Sequence, residues 1–342
     1  MATGKILPSL PALAARLARS GRGRVGALRR RPSTPGDPPH PEWHRPGTDP
    51  WHGLNPTPAG WCQCNICRWS GPHFQGVDHS ESAVCPGCGS IARDRFLFWS
   101  LQHSVERPDE GRLRLLETSP RLDGTYRRAM AQWFDYLCSD FDQRAHTGAI
   151  RIDLQDIDLP SDSIDVILSP HVLEHVPDTD RALAELYRVL RPGGTLLLQV
   201  PVLQERTAPP TNPEFHGDDT PVFWRFGPEL GDRLAVHGFA VRLLATEALM
   251  TAAATAPFAG IGSARPWPLP VSAEFDAEAV LRGLCPAVAA EGPARSVPPP
   301  RRLRPELQAV ANPETAARHG FEPAYMFLTW AAHKAAQPVL TS

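Results

Sequence analysis

Asp165-Val-Ile-Leu-Ser-Pro-His-Val-Leu-Glu-His-Val-Pro-Asp178 leads, through a stretch with helical spacing, to Arg191-Pro-Gly-Gly194 and then to Thr195-Leu-Leu-Leu-Gln-Val-Pro201. Ile164 to Ser169 has the length and apolar content of one buried strand, and Thr195 to Pro201 reads as a second. Between them Asp178 is placed to cap a helix. Ala182, Leu183, Leu186, Val189 and Leu190 fall on one face of it, and Arg181, Glu185 and Arg188 on the other. Pro192, Gly193 and Gly194 are expected to terminate that helix. Strand, loop, amphipathic helix and strand in this order is the repeat of a parallel α/β sheet. Ligands of such sheets sit outside the carboxyl ends of the strands, so the loop from Ser169 to His175 is where chemistry is expected.

The same alternation extends outward. Leu113 to Glu117, Trp133 to Ser139, Ala149 to Asp153 and Phe239 to Leu244 read as further strands, separated by helical patterns. That arrangement predicts a sheet wrapped on both faces. Residues 250 to about 315 are rich in Ala and Pro, include Pro298-Pro-Pro300 and show little periodicity, which reads as a flexible insertion. Pro323 to Trp330 is again apolar and aromatic and fits one more strand.

The wording "LEHV" (Leu173 to Val176) followed by "RVLRPGG" (Arg188 to Gly194) resembles the small-molecule branch of class I S-adenosylmethionine-dependent methyltransferases. The resemblance implies a Rossmann-like, doubly wound, mostly parallel α/β sheet with an antiparallel last strand, and S-adenosylmethionine as cofactor. The domain reading is then a basic, Pro-rich arm at 1–50 and a zinc-ribbon-like module at 51–103. A methyltransferase core at 104–249, the insertion at 250–315 and the closing strand within 316–342 complete it.

Site residues follow residue by residue from that resemblance. Asp140 stands 23 residues beyond Glu117, at the end of the second strand, where the acid that clasps the cofactor ribose is expected. Phe141 would pack on the adenine, Asp153 with Leu154 would meet the adenine amino group, and Ser169 would border the methyl donor. The first strand departs from the family pattern. Glu117-Thr118-Ser119-Pro120-Arg121 replaces Glu-x-Gly-x-Gly, and Pro120 lacks an N–H. Glu117 and Thr118 remain the cofactor candidates there. Base candidates for an acceptor that must lose a proton are His216 first, then His171 and His175, with Glu174 nearby. Glu214 to Gly227 is expected to close over the acceptor, because it follows the fifth strand and combines ionisable with aromatic side chains.

Cys64-Asn-Ile-Cys67 and Cys85-Pro-Gly-Cys88 are two C-x2-C knuckles 17 residues apart, the spacing of a structural zinc site with four thiolates. Zinc held by such a site contributes on the order of 10 to 16 kcal/mol to folding. Cys62 offers an alternative register with Cys64. Cysteines in this pattern fit a reducing, cytoplasmic setting better than a disulfide scaffold.

A net charge of −2 gives no overall attraction to nucleic acid. The arm at 1–36 carries only basic charges, so weak contact with anionic surfaces falls there. No apolar run has the length of a transmembrane helix. The acceptor expected is a small molecule or a glycan- or lipid-linked group. An RNA methyltransferase guided by the zinc module, and a methyltransferase-like binding protein without activity, are the alternatives.

Overall fold

The computed structural model describes residues 57–76, 83–106, 108, 110–122, 124–142, 150–202, 207–216, 219–227, 229–247, 306–321 and 328–336. The arm at 1–50 and most of the 250–315 segment lie outside the described residues.

After a two-stranded ribbon of β1 (Cys62–Gln63) and β2 (Ser70–Gly71), eight strands form one sheet. In chain order they are β3 (Arg114–Thr118), β4 (Asp135–Asp140), β5 (Ile150–Arg151), β6 (Ile164–Pro170), β7 (Leu190–Gln199), β10 (Phe239–Thr246), β11 (Glu306–Ala311) and β12 (Thr329–Lys334). Their spatial order is β11-β10-β12-β7-β6-β3-β4-β5. Only β12 is antiparallel to its neighbours, β7 and β10. The Rossmann-like, mostly parallel sheet expected from the sequence is thus the sheet observed. Strand order reverses between β3 and β6, and the carboxyl ends of these two define the crevice of an open α/β sheet.

Alternate residues of the central strands feed two apolar layers. Leu116, Ile167, Leu196 and Leu198 pack on one side with α3 (Thr179–Val189) and α4 (Leu230–Val236). Leu115, Leu168 and Leu197 pack on the other with α1 (Ala92–Ser104), α2 (Gly124–Trp133) and α5 (Pro313–His319). Burial on both faces explains why the strands read as continuous apolar runs rather than alternations. Asp178 caps α3 as expected, its Oδ1 accepting from Arg181 N at 3.0 Å.

Several boundaries differ from the sequence reading. Helix α3 stops at Val189, and Pro192-Gly193-Gly194 lie inside β7, where the pairing jumps from Ile164 with Leu190 to Val166 with Thr195. Gly193 has φ +83°, and a Cβ on Gly194 would come within 2.9 Å of Arg191 O and Asp165 O, so the glycines serve a bulge. The segment read as an insertion to 315 rejoins the fold earlier: β11 adds to the sheet edge in parallel with β10, and α5 starts at Pro313. Composition rich in Ala and Pro hid β11, because main-chain pairing to a neighbour holds an edge strand. The closing strand runs from Thr329 to Lys334, later than Pro323 to Trp330, whose residues 323–327 lie outside the described ones. Its small Ala331 and Ala332 are buried at mid-sheet, where little apolar signal is needed. Strand β4 starts at Asp135, since Trp133 is still helical.

Candidate active site and cysteine centre

At the carboxyl end of β3, Glu117 is buried and accepts hydrogen bonds from Tyr136 OH at 2.8 Å and Tyr126 OH at 3.3 Å. Burial pushes its carboxyl up to about 7, although both tyrosine hydroxyls pull the other way. The turn that follows has no glycine, yet Ser119 takes φ +46°, the left-handed conformation that a glycine would adopt without strain. Ser119 N donates to Ser139 O at 2.6 Å, which pins the turn to β4. Ser119 and Glu117 line a pocket of about 160 Å³ together with Pro170, His171, Tyr126 and Arg121. The wall opposite is formed by Arg93, Asp94 and Leu97 of α1.

Two of the expected cofactor residues lie beneath this pocket. Thr118 Oγ1 and Ser169 Oγ are 3.1 Å apart, and both residues are buried, so these hydroxyls tie β3 to β6. Their successors Ser119, Pro170 and His171 reach the pocket instead. Asp140 ends β4, nearly buried, with Oδ1 accepting from Asp142 N at 2.9 Å. Phe141 beside it is 39% exposed, with the Arg151 guanidinium 5.2 Å from its ring centre. Asp153 makes a tight turn, Oδ1 accepting from Gln155 N at 2.9 Å, while Leu154 is buried in the core and has only its main chain to offer a ligand. Asp140 and Phe141 thus stand at the carboxyl end of β4, next to the end of β3 where Ser119 bends.

The loop after β6 gathers the histidines. His171 has φ +52° and its N–H donates to Gln199 O at 2.8 Å. Its Nδ1 lies 3.6 Å from Oε1 of Glu174, a carboxylate that is 2% exposed. Burial raises the Glu174 carboxyl, but His171 and His175 more than offset it and hold the group below the ordinary carboxylate range. His175 Nδ1 pairs with Pro221 O at 2.8 Å. The hairpin of β8 (Glu214–Phe215) and β9 (Pro221–Val222) leans on this loop. His216 meets His175 edge to face at 4.6 Å, and Phe223 N and Trp224 N both donate to Glu174 O, at 2.8 and 3.2 Å. Partial desolvation and then the charge of His175 hold the His216 pKa below its ordinary value. An ion pair between Arg225 and Glu214 at 2.8 Å braces the hairpin. The structure therefore brings His171, His175, Glu174 and His216 together.

The pocket wall from α1 and the tyrosines on Glu117 were not foreseen. Helix α1 carried no signal beyond core packing, and Tyr126 and Tyr136 lie in elements whose approach to Glu117 is tertiary. Arg121 stands, like Ser119, at a position where the family pattern has glycine. It pairs with Asp94 and donates to Gly89 O at 2.8 Å, joining the turn to the second knuckle.

The two knuckles share one geometry. Cys64 N donates to Trp69 O and Arg68 N to Cys64 O, while Cys85 N donates to Ser90 O and Gly89 N to Cys85 O, all at 2.8 to 2.9 Å. Arg68 and Gly89 both have positive φ, which closes each turn. The four sulfurs lie within 4.8 Å of one another, with Cys64 to Cys88 at 3.7 Å and Cys67 to Cys85 at 3.5 Å. Four thiolates around zinc at ~2.3 Å would be roughly 3.8 Å apart, so the donor set fits that ion. Cys62 stands outside the group, its sulfur near Pro72 O and Ala317 O. The centre is part of the main core: Asn65 Nδ2 donates to Arg95 O at 2.8 Å, and His319 Nδ1 pairs with Gln63 O at 2.6 Å.

Residues 124–198 match the profile of the family described as a methyltransferase domain. A probable S-adenosylmethionine-dependent methyltransferase of Mycolicibacterium smegmatis is 42% identical over 48 residues, 14% of this chain and 19% of that protein. The matched part thus spans about a fifth of that relative. Among solved structures, an S-adenosylmethionine-dependent methyltransferase of Mesorhizobium loti is 20% identical over 42% of this chain and 81% of its own, with a TM-score of 0.32. The 1,6-didemethyltoxoflavin-N1-methyltransferase of Burkholderia thailandensis is 17% identical over 43% and 67%, with a TM-score of 0.32. Residues 124–198, the part that matches the methyltransferase-domain profile, lie within the Rossmann-like α/β sheet.

Proposed function

We propose that the chain transfers a methyl group from S-adenosylmethionine to a small-molecule, saccharide or lipid-linked acceptor. The observation that carries this reading is the crevice at the strand reversal. Ser119 makes a glycine-like bend at the end of β3, and Asp140, within the segment that matches a methyltransferase domain, ends the neighbouring β4. Asp140 would hold the ribose hydroxyls, Phe141 would cover the adenine, and Glu117 with Ser119 would face the amino-acid end. The cofactor, when bound, supplies an electrophilic methyl on a cationic sulfur. The protein's part is alignment of the acceptor and, for an acidic acceptor, removal of a proton. His216, His175 and His171 are the groups placed for it, with the 214–227 segment covering the acceptor.

The cysteine centre is read as a structural zinc site, closed by four thiolates and so without an open position for catalysis. None of the described cysteines is joined in a disulfide, and the reading of a reducing, cytoplasmic setting rests on the thiolate centre. No helix among the described residues is long and apolar enough to cross a membrane.

Calorimetry with S-adenosylhomocysteine tests the cofactor reading. Saturable binding is expected. Asp140→Ala should weaken it by about 1.5 to 3 kcal/mol, the scale of a lost charge-assisted hydrogen bond. Absence of binding to the folded wild-type chain rejects the reading.

A further inference from the structure

Glu174 is 2% exposed, yet no hydrogen-bond donor reaches either of its carboxylate oxygens. A buried charge in that condition is costly, and folded proteins rarely keep one without a use. Its nearest polar partner is Nδ1 of His171, at 3.6 Å. The other ring nitrogen, Nε2, is buried and also lacks a hydrogen-bond partner. His171 adopts φ +52° at the end of β6, a backbone conformation uncommon for a residue with a side chain, and it lines the pocket with Ser119 and Glu117. The structural duty of residue 174, receiving Phe223 N and Trp224 N, falls on its main-chain oxygen and needs no carboxylate.

We propose that Glu174 is a positioning residue that holds His171 with its proton on Nδ1, leaving Nε2 to take a proton from an acceptor hydroxyl or amine. The proposal rests on the methyl-transfer reading and narrows it to acceptors that are acids. In the step, the acceptor's proton passes to Nε2 and its electron pair forms the bond to the methyl carbon. The carbon–sulfur pair stays with sulfur, which becomes neutral, and the proton leaves later from the imidazolium. A pair 3.6 Å apart can close to a hydrogen bond when an acceptor seats, as catalytic contacts often do. His175 also faces Glu174. Its Nδ1 is occupied by Pro221 O, and its ring meets His216, beyond which lie Glu214 and Arg225. The same pocket is also lined by Glu117, Arg93, Asp94 and Arg121.

The test is nuclear magnetic resonance of the full chain, uniformly isotope-labelled and ligand-free, with the His171 ring signals assigned by through-bond correlation to its backbone. Neutral His171 in the wild type should be the Nδ1–H tautomer. Glu174→Gln should remove the tautomer preference. An Nε2–H tautomer in the wild type overturns the proposal, and needs no variant that folds. An unchanged tautomer preference in Glu174→Gln overturns it too. S-adenosylhomocysteine calorimetry on the same sample separates the two levels: binding with unchanged His171 signals rejects only the pairing, whereas no binding rejects the cofactor reading.

Discussion

Arg95 should be among the costliest single residues to replace in this chain. Its side chain is fully buried, with the guanidinium carbon 3.8 Å from the ring centre of Phe74. Nε donates to His319 O at 2.6 Å, Nη1 to Ser90 O at 2.7 Å and Nη2 to Ala83 O at 2.6 Å. It thereby binds the second knuckle to helix α5 from the far end of the chain. Burial lowers its pKa, and the charges of Cys64 and Cys85 act against that shift, which makes it the local counter-charge of the thiolates. Arg95→Met keeps the stem but strands three main-chain acceptors, at about 1 to 3 kcal/mol for each that stays buried. The expected loss is about 3 to 5 kcal/mol, within the range seen when one partner of a buried pair is removed. Urea unfolding of the metal-loaded protein should show it as a fall in midpoint of roughly 1 to 2 M. Arg121→Met is the control, because its ion pair with Asp94 is partly exposed and should contribute no more than about 1 kcal/mol. A loss below about 1 kcal/mol for Arg95→Met would refute the reasoning, since it would mean that water replaces the guanidinium.

Metal analysis should find one zinc per chain, and chelation should lower the melting temperature; a metal-free chain that melts at the same temperature contradicts the thiolate-centre reading. Gly194→Ala should destabilise by about 1 to 3 kcal/mol, because its Cβ meets main-chain oxygens at 2.9 Å that cannot move aside, and thermal unfolding measures this. Glu117 is raised from 4.5 to about 7 in the folded chain, so the folded state binds the extra proton between those values. Its contribution therefore falls as pH rises through that window, by about 3 kcal/mol in all. Glu117→Gln should remove this decline; stability profiles of wild type and variant that run parallel from pH 4.5 to 7 would exclude a raised carboxyl at that position.

Much of the fold was legible because burial on both faces of a parallel sheet writes itself as apolar runs. Ile164 to Ser169 could be placed to within a residue, whereas the strand read as Thr195 to Pro201 begins five residues earlier, at Leu190, because the bulge continues its pairing. The cap at Asp178 and the two knuckles were equally readable, since hydrogen bonds and ligand spacing within a few residues are local properties. Strand β11 was not legible, because an edge strand is held by main-chain pairing that composition does not record. The bulge at Gly193-Gly194 was mistaken for a helix stop, as glycine marks both and only the partner strand distinguishes them. The same division runs through the site. The sequence by itself marked Asp140, His171 and the four cysteines as residues of the chemically active kind. Only tertiary structure turned the hydroxyls of Thr118 and Ser169 toward each other and put Ser119 in the glycine's conformation. It also buried Glu174 against His171 and brought helix α1 to the pocket. These are contacts between residues far apart in the chain, whose energies depend on distance and exclusion of water, and no short stretch of sequence encodes either.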